Sequence, residues 1–125
     1  IAAYCDVTGH DSTQAAIKIA ADTHGPIDIL VNNAGNTSAA PVLEHDIFQW
    51  NKVIETNLTG SWVVAQEVAK LMAPRGRGSI INIASAFAIR TYARVSGYAA
   101  SKAAIIHLTC NMAIELAPIR TQARI

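Results

Sequence analysis

Apolar residues follow two spacings along this chain, and the two spacings alternate. Short, nearly continuous apolar runs predict buried strands at residues 1–7, 27–31 and 79–84, with the start of a fourth at 119–125. Between these runs apolar residues recur at helical spacing, and the predicted helices cover residues 11–23, 47–72 and 98–116. Strands and helices are therefore expected in turn from one end of the chain to the other.

The character of the predicted strands indicates their arrangement. They are apolar at nearly every position rather than at every second one, which is typical of parallel strands buried on both faces. We therefore predict one α/β domain over residues 1–125, with a parallel sheet covered by helices on both faces. The helix at 47–72 carries Asn57 and Gly60 among its apolar positions, and a bend is expected there because neither residue favours a helix interior.

Composition and charge limit the classes of function that this chain is expected to have. Apolar residues make up 51% of the chain and charged residues 15%, as in a globular protein. Ten basic and nine acidic residues give a net charge of +1 without a basic run, so no nucleic-acid partner is expected. No apolar run approaches the roughly 18 residues that a membrane span needs, so no membrane partner is expected either.

The cysteines and histidines show no pattern of a metal site. Cys5 and Cys110 lie far apart in apolar stretches, which favours two buried, reduced thiols in a reducing cytoplasm. The four histidines lack metal-ligand spacing and are interpreted as surface or loop residues. We predict no metal site.

Tyr98 and Lys102 are the first candidates for chemistry. They stand four residues apart near a predicted helix start, which places both side chains on one face, where the ammonium favours the ionised form of the phenol. Such a tyrosine can exchange a proton with an alcohol oxygen at neutral pH. Ser85, thirteen residues before Tyr98 at a predicted strand end, can hold a carbonyl oxygen beside it. A surface Tyr–Lys pair and a serine bonded to local backbone are the alternatives.

Two polar elements complete the candidate set. The turn from Asn32 to Gly35 closes a strand with residues that tolerate close approach of a ligand to the main chain, although an ordinary turn explains it equally well. Asn57 inside an amphipathic helix indicates either a local bend or a functional polar chain.

Taken together, five motifs resemble those of the short-chain dehydrogenase/reductase family. They are Cys5-Asp6-Val7, Asn32-Asn33-Ala34-Gly35, Asn57, the segment 78–85 that ends in Ser85, and Tyr98-x-x-x-Lys102. They stand in the family's order, with its thirteen-residue interval from serine to tyrosine, and they run over nearly the whole chain. The chain is similar to the family's 3-oxoacyl-thioester reductases and polyol dehydrogenases.

The resemblance implies an oxidoreductase that transfers a hydride between NAD or NADP and a carbonyl or secondary alcohol. Tyr98 would be the acid/base, Ser85 would orient the carbonyl, and Lys102 would favour the phenolate while it binds the nicotinamide ribose. Asn57 would hold a proton-relay water. The implied cofactor-binding residues are Asp6 and Val7 at the adenine, Asn33, Ala34 and Gly35 along the ribose, and Tyr98 and Lys102.

The resemblance also implies a Rossmann-like doubly wound parallel sheet, a small-molecule substrate and a cytoplasmic homotetramer or homodimer. In the family's strand order, 3-2-1-4-5-6-7, the first two strands and the last strand have no counterpart here, and the first residue is not Met. We therefore expect a partial catalytic domain whose natural start lies elsewhere, with an unpaired strand edge at residues 27–31.

Three departures from the family pattern affect function. The family's Gly-rich turn, Thr-Gly-x-x-x-Gly-x-Gly, has no counterpart in the sequence, so neither the phosphate cradle nor the preference for NAD or NADP is predicted. The segment after Pro118 is two residues short of the family pattern, and Ala88 stands where many members have glycine. We expect the 125 residues alone to be poorly stable and inactive. The alternative function is a truncated, non-catalytic chain that keeps only the subunit-association helices.

Overall fold

The computed structural model describes all 125 residues, Ile1–Ile125. Four α-helices and three strands follow one another. In chain order they are α1 His10–His24, β1 Ile29–Asn32, α2 Ile47–Ile54, α3 Ser61–Met72, β2 Gly78–Asn82, α4 Ser96–Leu116 and β3 Thr121–Arg124. The predicted helices and three of the four predicted strands are confirmed, with shifts of a few residues at their ends.

The three strands form one parallel sheet in the order β1-β2-β3. Ile29 pairs with Ser79 and Asn32 with Asn82 on one side of β2, while Gly78 pairs with Thr121 on the other. The sheet is thus parallel and the fold is α/β, as predicted. The outer edge of β1 has no neighbouring strand, which confirms the expected unpaired edge.

Residues 1–6 are not a strand, so the prediction of a strand at 1–7 is wrong. All six are exposed and have no assigned secondary structure. A strand is stabilised by hydrogen bonds to a neighbour, and this apolar run has none. Only its end is held, where the Asp6 main chain donates to Ser12 Oγ at 2.8 Å and Val7 is half-buried.

Helices cover only one face of the sheet in these 125 residues, which corrects the expectation that both faces are covered. Leu30, Ile80 and Ala123 point into the core formed with α3 and α4. Ile29 and Val31 point the opposite way, because side chains alternate along a strand, and they are 64% and 53% exposed. Apolar residues at these two positions are typical of a sheet that is covered on both faces, but no element of this chain packs on them.

The core is small. Only 20 of the 125 residues are buried, and six of these form one cluster between α3, α4 and β2. The cluster consists of Ala65, Val68, Ala69, Met72, Ile80 and Met112. None of the helices is long and apolar enough to cross a membrane.

The long central helix is continuous but changes its winding at the predicted bend. Between α2 and α3 the six residues Glu55–Gly60 form a π-helical segment. Gly60 allows it to lie against the end of the N-terminal run, since a Cβ added there would come within 2.7 Å of Val7 Cγ2. π-helical turns are typical of functional sites, and Asn57 lies at the middle of this one.

The two thiols are unpaired but exposed, so their predicted burial is wrong. Cys5 belongs to the N-terminal run that pairs with nothing. Cys110 lies on α4 directly after Thr109, which faces the core, and so it points away from it. Local apolar composition predicted burial in both places, yet burial depends on a packing partner that neither position has.

Candidate active site

Polar side chains converge at the carboxyl ends of β1 and β2, where α4 begins. An open cleft of about 430 Å³ lies there. Its walls are Asn33, Gly35, Asn36, Thr37, Ile83, Ala84, Ser85, Phe87, Tyr98 and Lys102. The carboxyl edge of a parallel sheet is the usual ligand site of such folds, because loops rather than strands occupy it.

Tyr98 and Lys102 lie in the first two turns of α4 and both face the cleft. Lys102 is only 5% exposed, and its Nζ donates to the carbonyl oxygen of Ile83 at 2.7 Å. The same Nζ lies 5.9 Å from the centre of the Tyr98 ring. An ammonium has three N–H donors, and the structure gives one of them a partner, so two remain for a ligand in the cleft.

Ser85 lies three residues beyond the end of β2 and caps a short 3₁₀ turn, Ala86–Ala88. Its Oγ accepts from the main-chain N–H of Phe87 at 3.2 Å. The local backbone contact and the catalytic role considered for this serine are therefore compatible. The oxygen accepts the local bond, while the hydroxyl proton is left to donate into the cleft.

Asn57 is fully buried beneath the cleft and holds the turn that follows β1. Its Oδ1 accepts from the Asn36 N–H at 2.8 Å, and its Nδ2 donates to the Asn36 carbonyl oxygen at 2.9 Å. The Nδ2 also donates to Ser101 Oγ at 3.1 Å. Both donor hydrogens of the amide are thus used inside the protein.

A second polar layer lies below the site and ties the strands to the helices. Asn32 Nδ2 donates to the Ser61 carbonyl oxygen and to Asn82 Oδ1 at 3.0 and 2.9 Å. Asn82 Nδ2 donates to Thr109 Oγ1 at 2.9 Å. Buried polar groups are stable only when they are bonded in this way, so the ladder fixes β1, β2 and α4 relative to one another.

An aromatic wall stands on the α4 side of the cleft. The Phe87 ring lies 4.4 Å from that of Tyr92 and meets the Tyr98 ring edge-on at 6.1 Å. Arg90 and Arg94 in the same loop are exposed and form no ion pair. The Arg94 carbonyl oxygen accepts from the Ala40 N–H at 2.9 Å, which links the two loops at the mouth of the cleft.

The sequence profile described as short chain dehydrogenase matches residues 1–124. The chain belongs to the short-chain dehydrogenase family. Nodulation protein G of Azospirillum brasilense is 45% identical over 113 residues, which are 90% of this chain and 46% of that protein. A 2-dehydro-3-deoxy-D-gluconate 5-dehydrogenase of Pseudoalteromonas atlantica is 41% identical over 113 residues, covering 90% of this chain and 44% of the other.

Solved structures of short-chain dehydrogenases have a similar fold. A gluconate 5-dehydrogenase from Burkholderia cenocepacia, solved with NADP and tartrate, superposes with a TM-score of 0.91 at 40% identity, covering 97% of this chain and 48% of that one. The fold is therefore the predicted Rossmann-like α/β sheet in incomplete form. The chain spans about half the length of the relatives it matches.

Within this dehydrogenase domain the structure brings together most, but not all, of the predicted site residues. Ser85, Tyr98, Lys102, Asn33 and Gly35 line the cleft, and Asn57 lies directly under it. Ala34 is exposed in the same turn. Asp6 does not reach the cleft. It lines a separate hollow together with Phe48 and five polar or charged residues, which are Thr8, Asn51, Lys52, Glu55 and Thr56. Val7 lies beside it against Gly60.

The site residues that the sequence did not indicate include two polar ones that bond to Asn57. Asn36 follows the predicted turn, and its Nδ2 donates to Thr56 Oγ1 at 2.9 Å. Ser101 lies inside the Tyr98–Lys102 motif and is fully buried. The available signal was helical spacing, since Ser101 is three residues after Tyr98 and therefore on the same face.

Proposed function

We propose that the protein transfers a hydride between NAD or NADP and a carbonyl or secondary-alcohol substrate, with Tyr98 as acid/base. The observation that carries this proposal is the convergence of Tyr98, Lys102 and Ser85 on one cleft, together with the turn that contains Asn33 and Gly35. The family membership and the dehydrogenases among the relatives support it.

The residues that line the cleft fit the nicotinamide–ribose half of a nicotinamide dinucleotide. Lys102 offers two unused donors to ribose hydroxyls, and Asn33, Ala34 and Gly35 offer an open turn beside it. The turn packs closely against the Asn57 side chain, because a Cβ added at Gly35 would come within 3.3 Å of Asn57 Oδ1. The role of Asp6 and Val7 at the adenine is proposed from the family resemblance alone, since Asp6 lines a separate hollow. When bound, the nicotinamide supplies or accepts the hydride.

In carbonyl reduction the Tyr98 hydroxyl donates a proton to the substrate oxygen, and in alcohol oxidation the phenolate takes it back. The Ser85 hydroxyl donates a hydrogen bond to the same oxygen and fixes its position. The buried Lys102 ammonium lies 5.9 Å from the centre of the Tyr98 ring. Asn57 holds the Asn36 peptide with its side chain, so a relay water would bind to its main chain within the π-helical segment.

The decisive experiment replaces Tyr98 with Phe in the protein at the full length that its gene encodes. Turnover should fall by about 10²–10⁴-fold, because the proton donor is lost, while NADH and NADPH still bind. Tyr92→Phe is the matched control, since it removes a hydroxyl from the same aromatic wall and should leave turnover unchanged. Gluconate and related sugar acids are the first substrates to test, given the relatives' names. Unchanged turnover in Tyr98→Phe would refute the proposal.

The 125-residue chain alone should be assayed beside the full-length protein. We expect it to bind neither NADH nor NADPH tightly, because the sequence contains no Gly-rich phosphate turn. A full-length protein that also lacks activity would favour the alternative of a non-catalytic association chain. Calorimetry with each cofactor distinguishes these cases.

Association into a homotetramer or homodimer in the cytoplasm is also proposed. It is supported by large apolar side chains that are exposed on the helices, among them Phe48, Trp62 and Ile114. Light scattering of the full-length protein tests the oligomeric state.

A further inference from the structure

A single buried hydroxyl joins the π-helical segment to the first turn of α4. Ser101 is fully buried, and its Oγ donates to the main-chain carbonyl oxygen of Tyr98 at 2.7 Å. The same Oγ accepts from Asn57 Nδ2 at 3.1 Å. One small side chain therefore contacts both the main chain of the proposed acid/base and the residue that clamps the Asn36 peptide.

Lys102 and Tyr98 are held by different contacts, although they are neighbours on α4. The Lys102 ammonium is fixed by the Ile83 carbonyl oxygen at the end of β2. The main chain of Tyr98 is fixed to the π-helical segment through Ser101. Loss of the Ser101 hydroxyl would leave the Lys102 contact with Ile83 in place but remove the hydrogen-bonded link between the first turn of α4 and Asn57.

We propose that Ser101 is a positioning residue, which sets the phenol of Tyr98 relative to Ser85 and Lys102 by linking the first turn of α4 to Asn57. The inference rests on the proposed role of Tyr98 as acid/base. Ser101 itself does not line the cleft and touches no reacting atom.

The same helix offers a matched control. Two turns further along α4, Thr109 Oγ1 donates to the Ile105 carbonyl oxygen at 2.7 Å and accepts from Asn82 Nδ2 at 2.9 Å. Thr109 is 2% exposed. It makes the same kind of contact with a main-chain carbonyl and an asparagine, but at a distance from the cleft. A purely structural role predicts equal consequences for the loss of either hydroxyl.

The test compares Ser101→Ala with Thr109→Val in the full-length protein, with NADH or NADPH and whichever sugar acid it turns over. For Ser101→Ala we expect kcat to fall about tenfold, with the cofactor KM changed by less than about twofold, because a displaced catalytic group affects the reaction rather than binding. The dissociation constants of NADH and NADPH, measured by calorimetry, should also stay within about twofold of the wild type. Thr109→Val should lower the melting temperature comparably, yet keep kcat within about twofold.

Ser101→Cys keeps a weaker donor at the same place and should fall between the wild type and Ser101→Ala. If the alanine variant does not fold, Ser101→Cys is compared with Thr109→Val instead. An unchanged kcat in these variants, a cofactor KM that rises as much as kcat falls, or an equal fall of kcat in Thr109→Val would overturn the inference. Full turnover in Tyr98→Phe would instead remove the proposed function, so the two failures can be told apart.

Discussion

At the scale of single residues, Gly60 shows how one position sets a contact between distant segments. A Cβ there would lie 2.7 Å from Val7 Cγ2 and 3.0 Å from the Val7 carbonyl oxygen, and a main-chain atom cannot move aside cheaply. We expect Gly60→Ala to lower the free energy of unfolding by about 1–3 kcal/mol and to displace Val7. Chemical denaturation measures this, with exposed Thr59→Ala as the control. Equal stability of both variants would mean that the contact is loose.

Residue chemistry explains which site residues the sequence could predict. Tyr98 and Lys102 reach the cleft because helical spacing fixes their common face, and Ser85 reaches it because it follows a strand. Asn36 and Ser101 were missed, since their partners lie 21 and 44 residues away around Asn57. Helical spacing places Ser101 on the face of Tyr98, but it does not show the partner of a tertiary hydrogen bond, which only the folded chain shows.

At the scale of elements, a cluster of polar side chains fastens α1 to α3. Glu67 accepts from Lys70 Nζ at 2.6 Å and from Gln14 Nε2 at 3.1 Å. These hydrogen bonds, that of Lys70 first, lower the pKa of Glu67 from 4.5 to about 2. A carboxylate with a lowered pKa contributes stability that is complete above its unfolded pKa and is lost as the pH falls through the folded one.

We therefore expect Glu67→Gln to melt at a lower temperature than the wild type near pH 7, with the gap closing as the pH falls from about 5 to 2. Thermal unfolding across this range measures the effect. Glu55→Gln, at an exposed position without an ion pair, is the control. A gap of constant size at all pH values would show that the Glu67 charge is not the source.

Helices were easier to predict than strands, for a physical reason. A helix satisfies its own hydrogen bonds, so the apolar spacing from Ile47 to Met72 was sufficient to predict it, including the irregularity at Asn57. A strand is completed by a neighbour that may be far away in sequence. The apolar run at residues 1–7 has the composition of a strand but no partner strand, and residues 1–6 are exposed and have no assigned secondary structure.

At the scale of the whole molecule, the sheet keeps one apolar face open. Ile29 and Val31 are more than half exposed, and β1 also has a free edge. Exposed apolar strand edges favour association between chains. The 125-residue chain, with only 20 buried residues, is therefore expected to be weakly stable and prone to associate.

A substitution on this open face is expected to affect the stability of the isolated chain and of the full-length protein differently. In the 125-residue chain, Val31→Lys should change the free energy of unfolding by less than about 0.5 kcal/mol and reduce association, because the side chain already faces water. Ile80→Ala is the control on the covered face of β2 and should cost about 2–5 kcal/mol of unfolding free energy, enough to unfold a weakly stable chain.

If further chain covers the open face in the full-length protein, Val31→Lys becomes strongly destabilising there, because a charge would be buried. Denaturation and light scattering of both forms measure the difference. A Val31→Lys variant that unfolds the isolated chain would show that the face is already covered within these 125 residues.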